Sequence, residues 1–222
     1  MKKIGLLCLA LVLALGTLGV GYAMWSDEVT IEGTVDTASL TIGFQELILA
    51  EGAEAEGKDV GSITGYLDVQ KGLHYVEETG LYMPIYDKAI VTLNNTYPCY
   101  WGHITFTVAN GGTIPAKITG LSLSDPTGEL TFMWTTPPPA SPAWGLFWKD
   151  LNGNGKYDPP VSGDPFQPGE RIILVKYVDN INVQLEPCSE VKSELDLHTE
   201  QAAEQNHTYK VVATITAVQW AE

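Results

Sequence analysis

Apolar and polar residues alternate through much of this chain, and that pattern restricts the chain to strands with one buried face. In residues 103–108 the side chains of Ile104, Phe106 and Val108 occupy every second position, with polar residues between them. Successive side chains of a strand point to opposite faces of a sheet, so this spacing predicts half-buried antiparallel strands. Residues 39–44 and 128–135 repeat the pattern.

Two further segments predict strands of a different kind. Residues 170–178 (ERIILVKYV) are apolar on both faces apart from their basic residues, which predicts a central strand. Residues 208–220 are rich in β-branched residues and predict a long final strand. Because clusters of Gly, Pro, Asn and Asp separate these segments, the sequence predicts an all-β fold, specifically a jelly-roll-like antiparallel β-sandwich with surface insertions.

Local irregularities give more specific predictions. The apolar positions slip in phase at Gly120, which predicts a β-bulge or a bend. Residues 63–69 and 73–76 predict a short hairpin. Residues 189–205 are the one segment that predicts a helix, although the apolar spacing is poor.

Two segments interrupt the strand pattern. Residues 46–87 include an acidic stretch rich in Gly and Ala, residues 51–59, which predicts a solvated loop. Residues 135–169 combine prolines with the large rings of Trp144, Phe147 and Trp148. They predict an ordered surface excursion, because a flexible linker has no need of such rings.

The first residues have the organisation of a secretory signal. Two lysines precede an uncharged apolar run that ends in small residues at Ala23. Cleavage after Ala23 would divide the chain into a signal peptide, residues 1–23, and a β-sandwich domain, residues 24–222. The uncharged stretch 4–26 is also long enough to span a bilayer as a retained anchor, but its glycines and the lack of a polybasic segment after it favour cleavage.

The chain is strongly acidic, with 27 Asp and Glu against 12 Lys and Arg and a net charge of −15. Loss of the two lysines in the signal makes the product more negative still. Nucleic acid is therefore excluded as a partner class, since binding to phosphate needs a surplus of Lys and Arg. The signal and the charge together predict a secreted protein of the extracellular matrix or the cell surface. We expect this protein to contact the membrane only through a signal that has not been cleaved.

Three cysteines are present, and Cys8 leaves with the signal. In an exported chain the remaining two, Cys99 and Cys188, predict one disulfide. In the chain-entropy account such a bond would stabilise the fold by about 4 kcal/mol. The alternative is two separate buried thiols.

Residues 150–158 (DLNGNGKYD) match the first half of an EF-hand-like loop, with oxygen-bearing side chains at alternate positions and Gly at the sixth. The predicted ligands of a structural Ca²⁺ ion are the side chains of Asp150, Asn152 and Asn154, the carbonyl of Lys156, and Asp158 directly or through water. A full EF-hand has Glu where Val161 stands, and Asp164 could take that place if the loop folds back. The alternative is a turn rich in Asn and Gly that holds no ion.

No recognisable catalytic motif is present in the sequence, and we expect the protein not to be an enzyme. HExxH, Gly-x-Ser-x-Gly and phosphate-binding glycine loops are all absent. His74 and Glu78 predict an exposed polar pair rather than a zinc site. Trp144 and Trp148 could stack on sugars. The main alternative is therefore a carbohydrate-binding module that is stabilised by a bound calcium ion. A surface metallopeptidase or glycosidase is the least favoured alternative.

Three stretches of the sequence, taken together, resemble one protein family. They are residues 19–27 (GVGYAMWSD) with the EGTV and LTI that follow, residues 97–118 with FTVANGGTIPAKI, and the closing ITAVQW at 215–220. Together they resemble the TasA/camelysin family of secreted surface and biofilm-matrix fibre proteins, whose signal is processed by a SipW-type peptidase. Some members of that family are metallopeptidases. The zinc-ligand spacing that a metallopeptidase needs is absent from this sequence, so we do not expect this chain to have that activity.

The resemblance implies a jelly-roll subunit that polymerises with itself by donor-strand exchange, after processing by a SipW-type signal peptidase. The N-terminal residues 24–34 agree with this expectation. They place Val29 and Ile31 at alternate positions after Trp25, with no obvious turn that would pair them within the chain. A head-to-tail contact does not close and so builds a filament. The alternative is that this segment pairs within its own sandwich.

Overall fold

The structure is a computed structural model that describes residues 8–15, 38–52, 60–159, 169–178 and 180–220. The chain forms two compact units, residues 1–37 and residues 38–222. In the first unit residues 8–15 form a helix. Of the helical residues described, none belongs to a helix with the length and hydropathy to cross a bilayer. The predicted cleavage site and the predicted donor segment, 24–34, lie outside the described residues.

The described part of the second unit is built from β-strands, and every pairing between them is antiparallel. The strands are β1 (Ile42–Glu51), β2 (Ser62–Val76), β3 (Leu81–Thr96), β4 (Trp101–Asn110), β5 (Ala116–Ser124), β6 (Thr131–Thr136), β7 (Ala143–Trp148), β8 (Arg171–Val178), β9 (Gln184–Leu185), β10 (Glu190–Thr199) and β11 (His207–Gln219). The all-β prediction is confirmed. The predicted central strand is β8, which lies between β7 and β10, and the predicted final strand is β11.

The strands form one curled sheet. Their order is β6-β7-β8-β10-β4-β1-β3-β11-β5-β9. β2 is not part of this linear order and pairs with β3. β1 pairs with β4 along its whole length but meets β3 at the single pair of Phe44 with Tyr86. Apolar side chains from both sides of this junction share one core. The fold is therefore β-sandwich-like, and its jelly-roll character stays a prediction.

Aromatic rings fill the centre of the core. Phe44 of β1 and Phe106 of β4 are both buried, and their rings meet edge to face with centroids 5.1 Å apart. Phe106 also stacks on Tyr177 of β8 at 6.2 Å. Ile104 and Val108 are buried on the same face of β4, which confirms the predicted inward face of that strand.

The bulge predicted in β5 is confirmed. Gly120 lies opposite Thr216 of β11, but Ile118 lies opposite Ala217, the next residue of that strand. One extra residue, Thr119, therefore stands in β5 at the point where the apolar phase slips.

Residues 190–199 form strand β10, so the helix predicted over 189–205 is wrong. Ser193, Leu195 and Leu197 are buried, and the residues between them are more exposed. β10 pairs with β4 on one side and with β8 on the other. Ionisable residues alternate with the others along this strand, which is a period of two, but its Glu, Lys and Leu residues also favour a helix. Hydrogen bonding on both sides decides the conformation.

β2 is a single strand, so the hairpin predicted between residues 63–69 and 73–76 is wrong. The hairpin forms between β2 and β3, through the turn at residues 77–80. A register shift between Gln70 and Gly72 interrupts the alternation in the middle of β2, which is why the sequence pattern breaks there.

The surface excursion predicted over residues 135–169 is wrong for its aromatic part. β6 and β7 are strands of the sheet, and Phe147 is fully buried. Trp144 and Trp148 are half-buried on β7. Residues 160–168, like most of the acidic stretch predicted to be a loop (53–59), lie outside the described residues.

Cys99 and Cys188 are free and exposed, and they lie at opposite ends of the β4–β10 pair. The backbone N–H of Cys99 donates to Thr199, and that of Cys188 donates to Asn110. At about 3.3 Å per strand residue these ends are about 35 Å apart, whereas a disulfide needs Cα atoms within about 7 Å. The predicted disulfide within the chain is therefore wrong, and so is the alternative of two buried thiols.

We expect the stability of the folded monomer to be independent of reducing agent. The double variant Cys99→Ser, Cys188→Ser should unfold in urea at the same midpoint as the parent protein, with or without dithiothreitol. The measurement is equilibrium unfolding followed by tryptophan fluorescence, with thiol titration of the native protein as the control. A loss of about 4 kcal/mol on reduction, the value for a long-loop disulfide, would contradict this placement of the two cysteines.

Candidate functional site

Two free strand edges belong to strands that follow one another in sequence. Among the described residues β6, at one end of the strand order, pairs only with β7. β5, near the other end, pairs with β11 on one side, and β9 covers only Ala116 and Lys117 on its other side. Residues 119–124 of β5 and the outer backbone of β6 therefore present N–H and C=O groups with no strand partner in the described part of the chain.

A short acidic turn joins these two strands. The carboxylate of Asp125 accepts hydrogen bonds from the backbone N–H of Thr127 and of Leu130, both at 2.8 Å. Only residues 125–130 separate the end of β5 from the start of β6. The end of β5 and the start of β6 therefore lie close together.

Apolar side chains back the two free edges. Leu121 and Leu123 of β5 are buried in the core. Phe132 and Trp134 of β6 pack against the core but are only half-buried, with ring centroids 4.9 Å apart. An extended segment on these edges would pair with their main chains, and every second residue of it would lie beside the half-buried rings of Phe132 and Trp134.

The predicted calcium loop folds around the carboxylate of Asp150. One oxygen of Asp150 accepts hydrogen bonds from the backbone N–H of Gly153 (2.6 Å) and Asn154 (3.2 Å), and the other accepts from Gly155 (2.7 Å). The N–H of Gly155, followed by the other backbone donors, holds the pKa of Asp150 below its ordinary value. Asp150 therefore stays ionised to a lower pH than a free aspartate, and the loop loses this stabilisation only as the pH falls through that lowered pKa.

Two of the other predicted ligands, Asn152 and Asn154, contact Asp158. The side-chain amides of Asn152 and Asn154 donate to one carboxylate oxygen of Asp158, at 2.5 and 2.8 Å. The backbone N–H of Lys156 donates to the amide oxygen of Asn154 at 2.7 Å. The structure thus brings all five predicted residues into one loop.

Glu170, which the sequence analysis does not single out, holds the two ends of this loop together. Its side chain is 3% exposed. One carboxylate oxygen accepts from the backbone N–H of Leu151 (2.9 Å) and the other from that of Asp158 (3.0 Å). The one signal in the sequence is an acidic residue at the start of an otherwise apolar strand. Because the buried carboxylate satisfies two loop N–H groups, it fixes the loop to β8.

No group of three or more His, Cys, Asp or Glu side chains is arranged to hold a metal ion in the described ranges. Val161 and Asp164 lie outside these ranges, so the last position of the loop is not described. Calcium binding by the Asp150 loop stays a prediction.

An ion-pair cluster lies beside the loop, at Lys149. Its ammonium group contacts Glu129 at 2.8 Å and Glu204 at 3.0 Å. Glu129 also contacts His207 at 3.0 Å. The carboxylates of Glu129 and Glu204 raise the pKa of Lys149 above its ordinary value, and the hydrogen bond from Lys149 lowers the pKa of Glu129. These charges tie the turn before β6 to the end of β7 and to the segment before β11.

His74 is buried, so the predicted exposed pair of His74 and Glu78 is wrong. Only 1% of His74 is exposed. Its Nδ1 lies 3.3 Å from the carbonyl oxygen of Asn110, and its Nε2 lies 3.7 Å from the carboxylate of Glu190. This histidine therefore fixes β2 to the end of β4, whereas Glu78 lies in the exposed turn beyond it.

Comparisons with protein-family models, with curated proteins and with solved structures find no match to this chain.

We expect Glu170→Ala to lower the free energy of unfolding by about 2 kcal/mol, because it leaves the N–H groups of Leu151 and Asp158 without their charged acceptor. Glu194→Ala, which removes an exposed strand glutamate, is the matched control and should leave stability unchanged. Urea unfolding of the two variants makes the comparison. Equal stabilities would show that Glu170 does not hold the loop.

For calcium, we expect addition of millimolar Ca²⁺ to raise the melting temperature of the protein, with no such rise for Asp150→Asn. Mg²⁺ at the same concentration controls for general ionic effects on an acidic chain. A thermal shift that is the same for both proteins, or absent from both, would mean that the loop is a turn without an ion.

Proposed function

We propose that this protein is a secreted, non-enzymatic structural subunit that polymerises into extracellular or cell-surface fibres by donor-strand exchange. The observation that carries the proposal is the pair of free edges on β5 and β6, backed by Leu121, Leu123, Phe132 and Trp134. Export and removal of residues 1–23 by a SipW-type signal peptidase would free the donor.

The proposed donor is the segment of residues 24–34 from a second copy. Trp25, Val29 and Ile31 occupy odd-numbered positions and so share one face of an extended segment. That face would cover the half-buried Phe132 and Trp134, while the donor backbone supplies the missing hydrogen bonds. Main-chain pairing gives affinity and alternate side chains give the register.

Charge supports a contact of this type. Two processed copies, each with 27 Asp and Glu against 12 − 2 = 10 Lys and Arg and so a net charge of −17, repel one another at long range. Backbone hydrogen bonds and buried apolar side chains carry no net charge, so they add nothing to that repulsion. A strand contact therefore suits a strongly acidic subunit better than one built on ion pairs.

The free edges would also accept the same segment from their own chain, and the two arrangements differ in the state of association. Exchange produces a polymer, whereas self-pairing produces a stable monomer. The first experiment therefore compares the processed protein, residues 24–222, with a variant that lacks residues 24–32. We expect filaments of the former in negative-stain micrographs and a folded monomer of the latter.

Peptide complementation then tests the donor directly. A synthetic peptide of residues 24–35 should bind the shortened variant and raise its melting temperature by mass action. A control peptide with Val29→Asp and Ile31→Asp should not, because it would place charges against the apolar rings of Phe132 and Trp134. Filaments that persist in the shortened variant, or equal effects of the two peptides, would refute donor-strand exchange.

A further inference from the structure

The far end of the β2–β3 hairpin carries an exposed apolar surface. Leu73 lies opposite Pro84, and Tyr75 lies opposite Tyr82, so these four side chains share one face. Tyr82 is 68% exposed and Leu73 is 50% exposed. The rings of Tyr75 and Tyr82 lie 5.2 Å apart. We call these four residues the hairpin face.

The hairpin face is held in place by the other side of the same strands. His74, between Leu73 and Tyr75, is buried against Asn110 and Glu190. Ile85, next to Pro84, is fully buried. The apolar face is therefore presented by an anchored hairpin, and a partner meets little entropic cost of ordering it.

The charges around the hairpin face restrict the kind of partner that can bind it. Residues 72–85 contain no Lys or Arg, and the turn contributes Glu77 and Glu78. Lys71, just before this stretch, is paired with Asp87 at 3.1 Å. Binding to anionic lipid headgroups needs basic residues, so a membrane surface does not fit. An apolar patch on another protein does.

The course of the chain places a particular protein beside this face. The backbone N–H of Thr113 donates to Ser39, and that of Gly111 donates to Thr41, both at 2.9 Å. Gly111 is so close to Leu73 that a Cβ atom on it would lie 2.2 Å from the Leu73 carbonyl oxygen. The hairpin face therefore begins beside the point where the chain enters the domain from its N-terminal segment.

We propose that the hairpin face is a second contact between subunits, and that it docks on the copy of this chain that receives the N-terminal segment. This inference rests on the proposed function. Residues 35–38 span at most about 14 Å, so a copy that holds residues 24–34 is kept next to Leu73. The hairpin face is too small to hold two chains together by itself. Beside a tethered neighbour, the effective concentration makes a small contact sufficient.

The first test measures the critical concentration for filament formation of the processed protein by sedimentation. Tyr82→Glu and Leu73→Glu should each raise it about tenfold, the effect of losing one central apolar contact. Tyr66→Glu is the matched control, since Tyr66 of β2 is an exposed tyrosine like Tyr82, at 53%, but lies about 30 Å along β2 from Tyr75. Tyr66→Glu should assemble like the parent.

The second test needs no destabilising substitution. A photo-crosslinking residue at position 82, in a mixture of isotopically light and heavy chains, should give products that join two different chains outside residues 24–37. Crosslinks to residues 24–37 of the same chain, or none at all, would overturn the inference.

The two proposals fail in different ways. Normal filaments with an unchanged critical concentration in Tyr82→Glu overturn the hairpin contact and leave donor-strand exchange standing. Absence of filaments from the parent protein, or filaments that persist without residues 24–32, overturns the proposed function.

Discussion

The pairing of β4 with both β1 and β10 is the interaction on which the rest of this structure depends. β4 is bonded along its whole length on both sides, and its inward side chains lie at the centre of the core. The chain enters the domain beside Gly111, just after β4, and the hairpin face begins at the same place.

Strands whose sequence alternates cleanly could be predicted from the sequence, and strands that depend on their neighbours could not. β4 has three apolar residues in strict alternation, so its conformation and its buried face follow from local pattern alone. β10 has few apolar residues and is rich in Glu, Lys and Leu, which also favour a helix, and it becomes a strand because it lies between β4 and β8. The order of strands also rests on contacts between residues far apart in sequence, which no local pattern records.

The same distinction holds for the candidate sites. The Asp150 loop could be predicted because its ligand pattern lies within nine consecutive residues, whose side chains fold onto one another. Glu170 could not, since its role appears only when β8 lies beside the loop. The free edges of β5 and β6 are likewise visible only once the sheet has curled. The disulfide prediction failed because the presence of two cysteines says nothing about the length of the strand between them.

The separation of the two thiols makes the folding of this protein directly measurable. Cys99 and Cys188 are exposed and lie at the two ends of one strand pair, about 35 Å apart. That separation falls in the range where energy transfer between two fluorescent dyes changes steeply with distance. Energy transfer in a doubly labelled chain would therefore show, one molecule at a time, whether β4 and β10 are paired or separated.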